Sequence, residues 1–563
     1  MSLFEDILKV RGIEGSAREA FLHPKYEDGH DPFLLPDMKK AVDRLVTARE
    51  KQEKITIYGD YDIDGLTATT VLLDAFESFG FRFVEAFIPN RFVEGYGLTI
   101  DAVERIAATD ANLIVTVDCG SLSEKEIIRA GELGVDIIVT DHHNVAPVQP
   151  PAVAVINPKR LLQDHPTLYK NYRLVKKTTK KLYPFLDLPG VGVAFKLVQA
   201  LQTRLDGLPI GHEKWLLDLV ALGTVCDVVS LVDENRAHVY WGLKVLAKTR
   251  RPGLKALMSV SRVEPDKVNA RSLGFGLGPR MNAAGRLETA TYALEMLRAT
   301  DGMKALEKAA QLDVMNTERR AEQDRITKEA LVQAEKYAND PVLVVSGKNW
   351  SHGIIGIVAA KLLERYKKPT YVLEEMGEEA KGSARSYGDF SAADAIRASD
   401  DLITKGGGHK LAAGVTMPTK NIPAFRARVN AYFASLNLAP QLPLLRVKED
   451  IAVEDFCDIA EGLVDELAVM EPFGNSNPEP VLKVANILVV GQRRMGAEAQ
   501  HVKLDLLDKN GKTMQMLAFN AEPEWFVEPG ERVTVWFHPN INEWHGRRNV
   551  EGRMIQLEIS DES

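Results

Sequence analysis

Short apolar runs separated by amphipathic stretches dominate the segment from Lys54 to Pro158. The runs are Ile55 to Tyr58, Leu113 to Val117, Asp136 to Thr140 and Ala152 to Ile156. Between the first two, Ala68, Leu72, Ala75, Phe76 and Phe79 recur at helical spacing and Gly80 supplies a stop. Ser123-Glu-Lys-Glu126 has the form of a capping box, which predicts a second helix ending at Gly134. Apolar strands alternating with helical patterns predict a parallel sheet whose crossover helices cover both faces.

Further along, Trp215 to Lys248 is helical in pattern, and Lys304 to Asn339 is long, highly charged and free of Gly and Pro, as a helix connecting two domains would be. A second α/β unit begins at the strand-like Val342 to Val345 and continues to about Asn437, and the Pro-containing Leu438 to Leu445 reads as a linker. Beyond Pro480 the pattern is mostly strands, including Val502 to Leu507, an Asn510-Gly511 turn, Met514 to Phe519, Arg532 to Phe537 and Met554 to Ile559. A small closed β-barrel follows. The expected organisation is an α/β unit with a parallel sheet over residues 1–300, a connecting helix over 301–340, a second α/β unit over 341–437 and a barrel over 441–563.

Composition narrows the class. A chain of 563 residues has room for several cores at roughly 150 residues per domain. With 45% hydrophobic and 26% charged residues it is neither collagen-like nor disordered, and no apolar run approaches the ~18–20 residues of a spanning helix, so no membrane is expected. Acids near Met1 and the lack of an apolar segment after it argue against a secretory signal. Cys119, Cys226 and Cys457 are widely spaced, which fits a reducing, cytoplasmic setting and excludes a disulfide framework. The net charge of −9 rules out a generally polyanion-coating surface but permits a local basic channel. Lys170, Arg173, Lys176, Lys177, Lys180 and Lys181, within Arg160 to Pro189, form such a local patch, readable as a solvated face or as a phosphate-tracking one.

The chemistry gathers where strands end. The first run leads into Asp60-Tyr-Asp62-Ile-Asp64-Gly65, the second into Asp118-Cys-Gly120 and the third into Asp141-His142-His143. Carboxyl ends of parallel strands line one crevice, so these residues should converge. Carboxylates crowded together take up protons unless a cation compensates them, and oxygen ligands with one or two imidazoles suit two Mn²⁺ or Mg²⁺ ions. Such a pair activates water and stabilises the entering and leaving oxygens at phosphorus, which fits phosphoester hydrolysis. An EF-hand reading of Asp60-x-Asp62-x-Asp64-Gly65 fails because the twelfth position is Val71 rather than Glu. Asp227, in Gly223-Thr-Val-Cys-Asp227, reads equally as a turn cap or a ligand.

These four clusters resemble the successive motifs of the DHH phosphoesterase superfamily. Gly278-Pro-Arg280-Met-Asn282-Ala-Ala-Gly285-Arg286, Gly382-Ser383-Ala-Arg385-Ser386 and Gly406-Gly-Gly-His409 extend the likeness to Gly414, and Glu471-Pro-Phe-Gly474 with the following strands resembles the OB-fold of its single-strand-specific 5′-to-3′ exonucleases. The resemblance makes the four segments a DHH domain, a connecting helix, a DHHA1-type domain and an OB-fold. It implies Asp62, Asp64, Asp118, His142 and Asp227 as metal ligands, with Asp118 bridging two ions, Asp60 supporting the cluster and His143 facing the scissile phosphate. It also implies that Arg91, Ser383 and Arg385 grip a 5′-terminal phosphate, with Arg280 among the substrate contacts. Gly406-Gly-Gly-His409 is expected to open a helix whose N-terminus and His409 meet phosphate; the spacing is not that of a Walker A loop. Phe519, Trp536 and Trp544 are candidates either for base stacking or for barrel core. Cys119 and Cys226 are expected to be small buried residues rather than nucleophiles, and Ser351-His352-Gly353 precedes another apolar helix.

The implied activity is removal of nucleotides from the 5′ end of single-stranded DNA in repair and recombination, with single-strand-binding protein and other repair proteins as partners. Two alternatives are a DHH-type phosphatase for short oligonucleotides or nucleotides, and a non-catalytic single-strand-binding scaffold. The first needs no barrel, and the second should have lost acids that are all present here.

Overall fold

In the computed structural model, which describes residues 2–176, 178–438, 447–544 and 546–560, three sheets succeed one another along the chain. The first comprises β1 (Ile55–Gly59), β2 (Val84–Phe87), β3 (Leu113–Val117), β4 (Asp136–Thr140) and β5 (Ala154–Ile156), all parallel, in the order β2-β1-β3-β4-β5. Alternate side chains separate into two cores: Ile55, Ile57, Val115 and Ile138 meet the helices Met38–Lys51, Ile63–Ser78 and Gly190–Leu201 on one face. Tyr58, Ile114, Ile137 and Val139 meet the helices Ile100–Ala107 and Glu124–Glu132 on the other. Burial on both faces is why β1 and β3 read as unbroken apolar runs. β2 escaped the sequence pattern because it is a half-exposed edge strand. The capping box did not form: Ser123 makes no side-chain cap, its N–H being tied to Gly120 O in the preceding turn.

The basic stretch after β5 carries a short hairpin, β6 (Tyr169–Lys170) with β7 (Arg173–Leu174), anchored by buried Tyr169, Tyr183 and Phe185. Its Lys177 lies outside the described residues. The charged segment is a single helix, Gly302–Lys336, opened by Asp301, whose side chain accepts from the Lys304 N–H. Its buried stripe is continuous: Ala305, Ala309, Leu312 and Met315 join the first core, whereas Ile326, Ala330 and Ala334 join the core of the second sheet. One helix thereby belongs to two cores, which fixes the two α/β units against each other.

The second sheet contains β8 (Leu343–Lys348), β9 (Thr370–Met376), β10 (Glu379–Arg385), β11 (Lys405–Gly408) and β12 (Ala412–Pro418), ordered β11-β12-β10-β9-β8; only β8 and β9 run parallel. The helix expected at Gly406-Gly-Gly-His409 is therefore strand β11, whose backbone pairs with β12. Gly408, at φ +141, passes so close to β12 that a Cβ would lie 2.6 Å from Ala412 O, so a glycine is required there. Apart from Leu438, the linker stretch lies outside the described residues.

The third sheet joins β13 (Ile451–Val453), β14 (Leu482–Met495), β15 (His501–Leu507), β16 (Thr513–Ala518), β17 (Arg532–Trp544) and β18 (Arg547–Ile559). Pairing of β14 with β17 closes the five strands after β13 into a barrel. Its core also takes Phe4, Ile7, Leu8 and Leu22 from the helices Leu3–Val10 and Gly15–Leu22 at the opposite end of the chain. The first residues of the 1–300 segment thus pack with the barrel, held by a bidentate Arg11–Asp450 pair at 2.7 and 2.8 Å. Among the described residues no helix is long and apolar enough to cross a membrane.

If this docking holds the barrel in place, Ile7→Ala will lower the unfolding free energy by about 2–5 kcal/mol and raise hydrogen exchange within β14 and β15. An unchanged denaturation midpoint would contradict it.

Candidate metal centre

Backbone geometry at the strand ends turns the acids inward. After β1 the chain passes into the helix Ile63–Ser78, where the Asp62 side chain accepts from the N–H groups of Asp64 and Gly65 at 2.9 and 3.2 Å. A Cβ on Gly65 would meet the Asp60 backbone at 2.5 Å, so only glycine lets the helix start so close to the strand. After β3, Asp118 adopts left-handed φ +63, followed by Gly120 at φ +108, and this bend aims the Asp118 carboxylate back over the sheet. Asp64 is gripped by the N–H groups of Gly190 and Val191 at 2.6 and 2.8 Å. Gly190 lies against Asp118, where a Cβ would sit 2.8 Å from Oδ1.

These constraints gather seven residues from four chain segments. His142 Nε2 lies 3.0 Å from Asp118 Oδ1, and 3.7 Å from both Asp64 Oδ2 and Asp227 Oδ2. Ligand atoms fall into three overlapping groups: Asp60, Asp62 and Asp118; Asp64, His142 and Asp227; and Asp118, His142 and His143. Asp118 belongs to two of them. Asp60 Oδ1, Asp118 Oδ1, Asp227 Oδ2 and both ring nitrogens of His142 are buried without a hydrogen-bond partner among the described residues. Buried polar atoms lose water on folding and need compensation. Unpaired carboxylate oxygens converging around one imidazole fit a cation, and the hard oxygen-rich set with one neutral imidazole fits Mn²⁺ or Mg²⁺.

The electrostatics agree. Burial, reinforced by neighbouring acids, drives the carboxyls of Asp60 and Asp118 well above the ordinary range, Asp64 to about 7 and Asp227 to about 9. Burial, with His143 nearby, holds His142 neutral, the form in which imidazole ligates a metal. His143 behaves differently: burial pushes its pKa down, but the 2.9 Å bond from Nδ1 to Asp141 Oδ1 outweighs this and raises it. Asp141 is held low by the same pair and accepts from the N–H groups of Ser121, His142 and His143. Asp141 therefore orients the two histidines rather than facing the crevice.

Beside the acids lies an opposite site. The Arg91 guanidinium stacks 4.2 Å above the ring of Tyr61, which stands between Asp60 and Asp62 in the chain. Its Nε is buried without a partner among the described residues. Arg385 Nη1 donates to Ser383 Oγ at 3.2 Å, and both reach Gly356 at the start of the helix Ile355–Tyr366. Arg286 completes the group, its pKa pushed down to about 10 by burial and by the charges of Arg91, Arg319 and Arg385. None of these four arginines forms an ion pair among the described residues. Arg286 and Arg319 were not singled out from the sequence as substrate contacts; the only available signal was Arg286 closing the Gly278-to-Arg286 motif. Arg280 stands apart, bound to Asp313 at 2.7 Å and to Gly276 O. His409, on the turn after β11, reaches Asn144 at 3.4 Å, directly after the two histidines. His352 pairs with Glu374 at 3.1 Å and packs edge-on against Phe92.

From the arginines a cavity of about 850 Å³ leads past Cys226, Val228, Arg271 and Phe275 to Asn540 and Arg553 of the barrel. Phe519 is exposed on the barrel, whereas Trp536 is buried outside the barrel core, its Nε1–H donated to Glu449 and its ring covered by Lys483, so its face is not open for stacking. The side chain of Trp544 lies outside the described residues. Cys119 is fully buried and Cys226 is half-buried over Leu273 O; burial pushes both thiols up, as inert packing residues require.

Residues 54–224 match the DHH family, N-terminal domain, residues 339–435 the DHHA1 domain, and residues 452–558 the RecJ OB domain. The single-stranded-DNA-specific exonuclease RecJ of Bacillus subtilis is 37% identical over 99% of this chain and 68% of its own length. The Escherichia coli protein of that name is 33% identical, covering 92% and 90%. This chain belongs to the RecJ family. RecJ from Thermus thermophilus, in a crystal structure with Mn²⁺, superposes with a TM-score of 0.82 at 29% identity, covering 100% of this chain and 76% of that one. A second structure of that protein contains Mg²⁺, with a TM-score of 0.73 at 28% identity, over 100% of this chain and 75% of that one. Both ions are those that the donor set here favours.

The raised acids give the metal-free protein a distinctive pH response. Asp64 and Asp227 bind protons more tightly folded than unfolded. The stability they carry is intact at low pH and is lost as pH climbs from the ordinary carboxylate range through about 7 and about 9. At pH 8 without metal, Asp227→Asn should therefore raise Tm, and Mn²⁺ should raise Tm more in the parent than in the variant. A lower metal-free Tm for Asp227→Asn would contradict the crowded-acid account.

Proposed function

We propose that this chain is a metal-dependent exonuclease that degrades single-stranded DNA from its 5′ end to mononucleotides, acting in repair and recombination. The observation that carries the reading is the pairing of two opposite sites: an acid and histidine cage, and beside it an arginine pocket without ion-paired carboxylates, linked through Tyr61 and Arg91. Arg91, Arg385, Arg286 and Ser383 bind a terminal phosphate, whose extra oxygens match guanidinium forks and a hydroxyl. With that end anchored, the next phosphodiester lies at the cage.

In this reading Asp62, Asp64, Asp118, His142 and Asp227 hold the ions, Asp118 between them. Asp60 supports the cluster. Two Mn²⁺ or Mg²⁺ ions bound there supply water activation and neutralise charge at phosphorus. His143, with Nδ1 committed to Asp141, presents Nε2 to the phosphate and keeps a proton there. Arg280, engaged by Asp313, meets the strand only beyond the terminal-phosphate pocket. The cavity past Phe275 carries the rest of the strand to the barrel, where Phe519 offers a stacking face and Arg553 a cation. His409, after β11 of the second sheet, reaches across to Asn144 beside the cage.

The four segments serve as units in this scheme: a DHH domain, a connecting helix, a DHHA1-type domain and an OB-fold. A cytoplasmic setting, suited to the three free cysteines, and contact with single-strand-binding and repair proteins complete the proposal.

Incubation of 5′-labelled and 3′-labelled single strands with Mn²⁺ tests it. The parent should release mononucleotides progressively from the 5′ end, and Asp118→Ala should abolish release. Cleavage confined to di- or trinucleotides would favour a small-substrate phosphatase, and binding without turnover a scaffold. Arg385→Ala should weaken the preference for a 5′-phosphorylated over a 5′-hydroxyl strand about tenfold or more, as loss of a charged hydrogen bond implies; an unchanged preference would remove Arg385 from that role.

A further inference from the structure

Asp227 differs from the other cage acids in how it is held. Asp60, Asp62, Asp64 and Asp118 follow strands or open a helix inside the first unit, but Asp227 ends the helix Leu217–Cys226 and starts a loop. The next residue, Val228, is a β-branched side chain at left-handed φ +60 and is largely exposed, a conformation that requires support from outside the loop. The support comes from the turn before the barrel. Asn475 Nδ2 donates to Val228 O at 2.8 Å, and the Leu231 N–H donates to Asn475 O at 2.8 Å. The two bonds bracket the loop, while Gly474 lies against Leu231 so closely that a Cβ would sit 2.6 Å from Cδ1.

The turn itself is rigid. Asn477, buried, donates through Nδ2 to Met470 O and Pro472 O, and Gly474 and Asn477 exchange backbone bonds. On its inner side the loop is tied by Ser230, whose N–H and Oγ both bond Asp187 Oδ2 at 3.0 and 2.5 Å. Asp187 leads in sequence to Gly190 and Val191, the N–H groups that grip Asp64. Hydrogen bonds therefore tie the C-terminal unit to the Asp227 loop and that loop to Asp187, from which three residues of chain lead to the N–H groups that hold a second cage acid.

We infer that Asn475 is a positioning residue for the metal centre: its two bonds to the Asp227 loop make cation affinity depend on seating of the C-terminal unit. This rests on the proposed reading of Asp227 as a ligand. Outer partners that orient ligands commonly change metal affinity by 10–100-fold when removed.

Mn²⁺ titration followed by electron paramagnetic resonance tests it in the full chain, with no dependence on turnover. Asn475→Ala and Asn475→Asp, which both lose the donor to Val228 O, should each weaken Mn²⁺ binding about tenfold and raise hydrogen exchange across residues 227–231 in metal-free protein. Arg236→Ala provides the control, because the Arg236 side chain bonds Glu471 O and Pro472 O in the same interface and, among the described residues, forms no hydrogen bond to residues 228–231. It should lower Tm but leave Mn²⁺ affinity within twofold of the parent. Unchanged Mn²⁺ affinity in both Asn475 variants, or an equal loss in Arg236→Ala, overturns the inference. Asp227→Ala separates the two layers: if it too leaves Mn²⁺ affinity unchanged, the ligand reading itself fails, whereas weakened binding there with parent-like Asn475 variants sinks only the positioning role.

Discussion

Mutual repulsion among buried carboxylates is the constraint around which the first unit is built. Asp60, Asp64 and Asp118 are nearly inaccessible to water, and Asp62 and Asp227 stand beside them. Charges in such surroundings are expensive unless paired, and among the described residues no lysine or arginine enters the cage to form an ion pair. The fold nevertheless spends several special features on bringing them together: a left-handed Asp118, a glycine at position 65 that no other residue can replace, and a pair of backbone N–H groups at Gly190 and Val191. Stability alone would not select that arrangement. A bound cation would.

The surrounding elements then divide the work by charge. Negative side chains come from the ends of the first sheet's strands, from the helix after β1 and from the end of the helix Leu217–Cys226, and the arginines come from the loop after β2, the Gly278–Leu287 helix, the long helix and β10. Because the helix Gly302–Lys336 is buried at one end in the first core and at the other in the second, the separation between the cage and the Arg385 side of the arginine pocket is set by one rigid element. In the proposed function that separation would act as a physical ruler, deciding which phosphodiester reaches the cage once an end is bound. The barrel is also fastened at several points, by the N-terminal helices, by Arg11 and Asp450, and by the turn that holds the Asp227 loop.

Much of this was legible in the sequence because strand ends in a parallel sheet have a fixed common side. The apolar runs at Ile55, Leu113 and Asp136 located the strands, and the acids and histidines immediately after them located the crevice. Pattern failed where backbone pairing outweighed local preference. Gly406-Gly-Gly-His409 resembled an anion-binding helix start, but β12 captured its N–H groups and made it a strand. β2 was lost because a half-exposed edge leaves a weak apolar signal. Arg286 and Arg319 could not be recognised because proximity of arginines from distant segments is a property of tertiary packing, as is the docking of the first helices on the barrel. Trp536 was ambiguous in sequence, and the structure gives it neither role: it is buried outside the barrel core beneath Glu449 and Lys483.

Anomalous scattering at the manganese edge, from crystals grown with saturating Mn²⁺, tests the central claim most directly. Two peaks are predicted, one among Asp60, Asp62 and Asp118 and one among Asp64, His142 and Asp227, with Asp118 touching both. A cage without anomalous density, or manganese bound only elsewhere on the chain, would contradict the account.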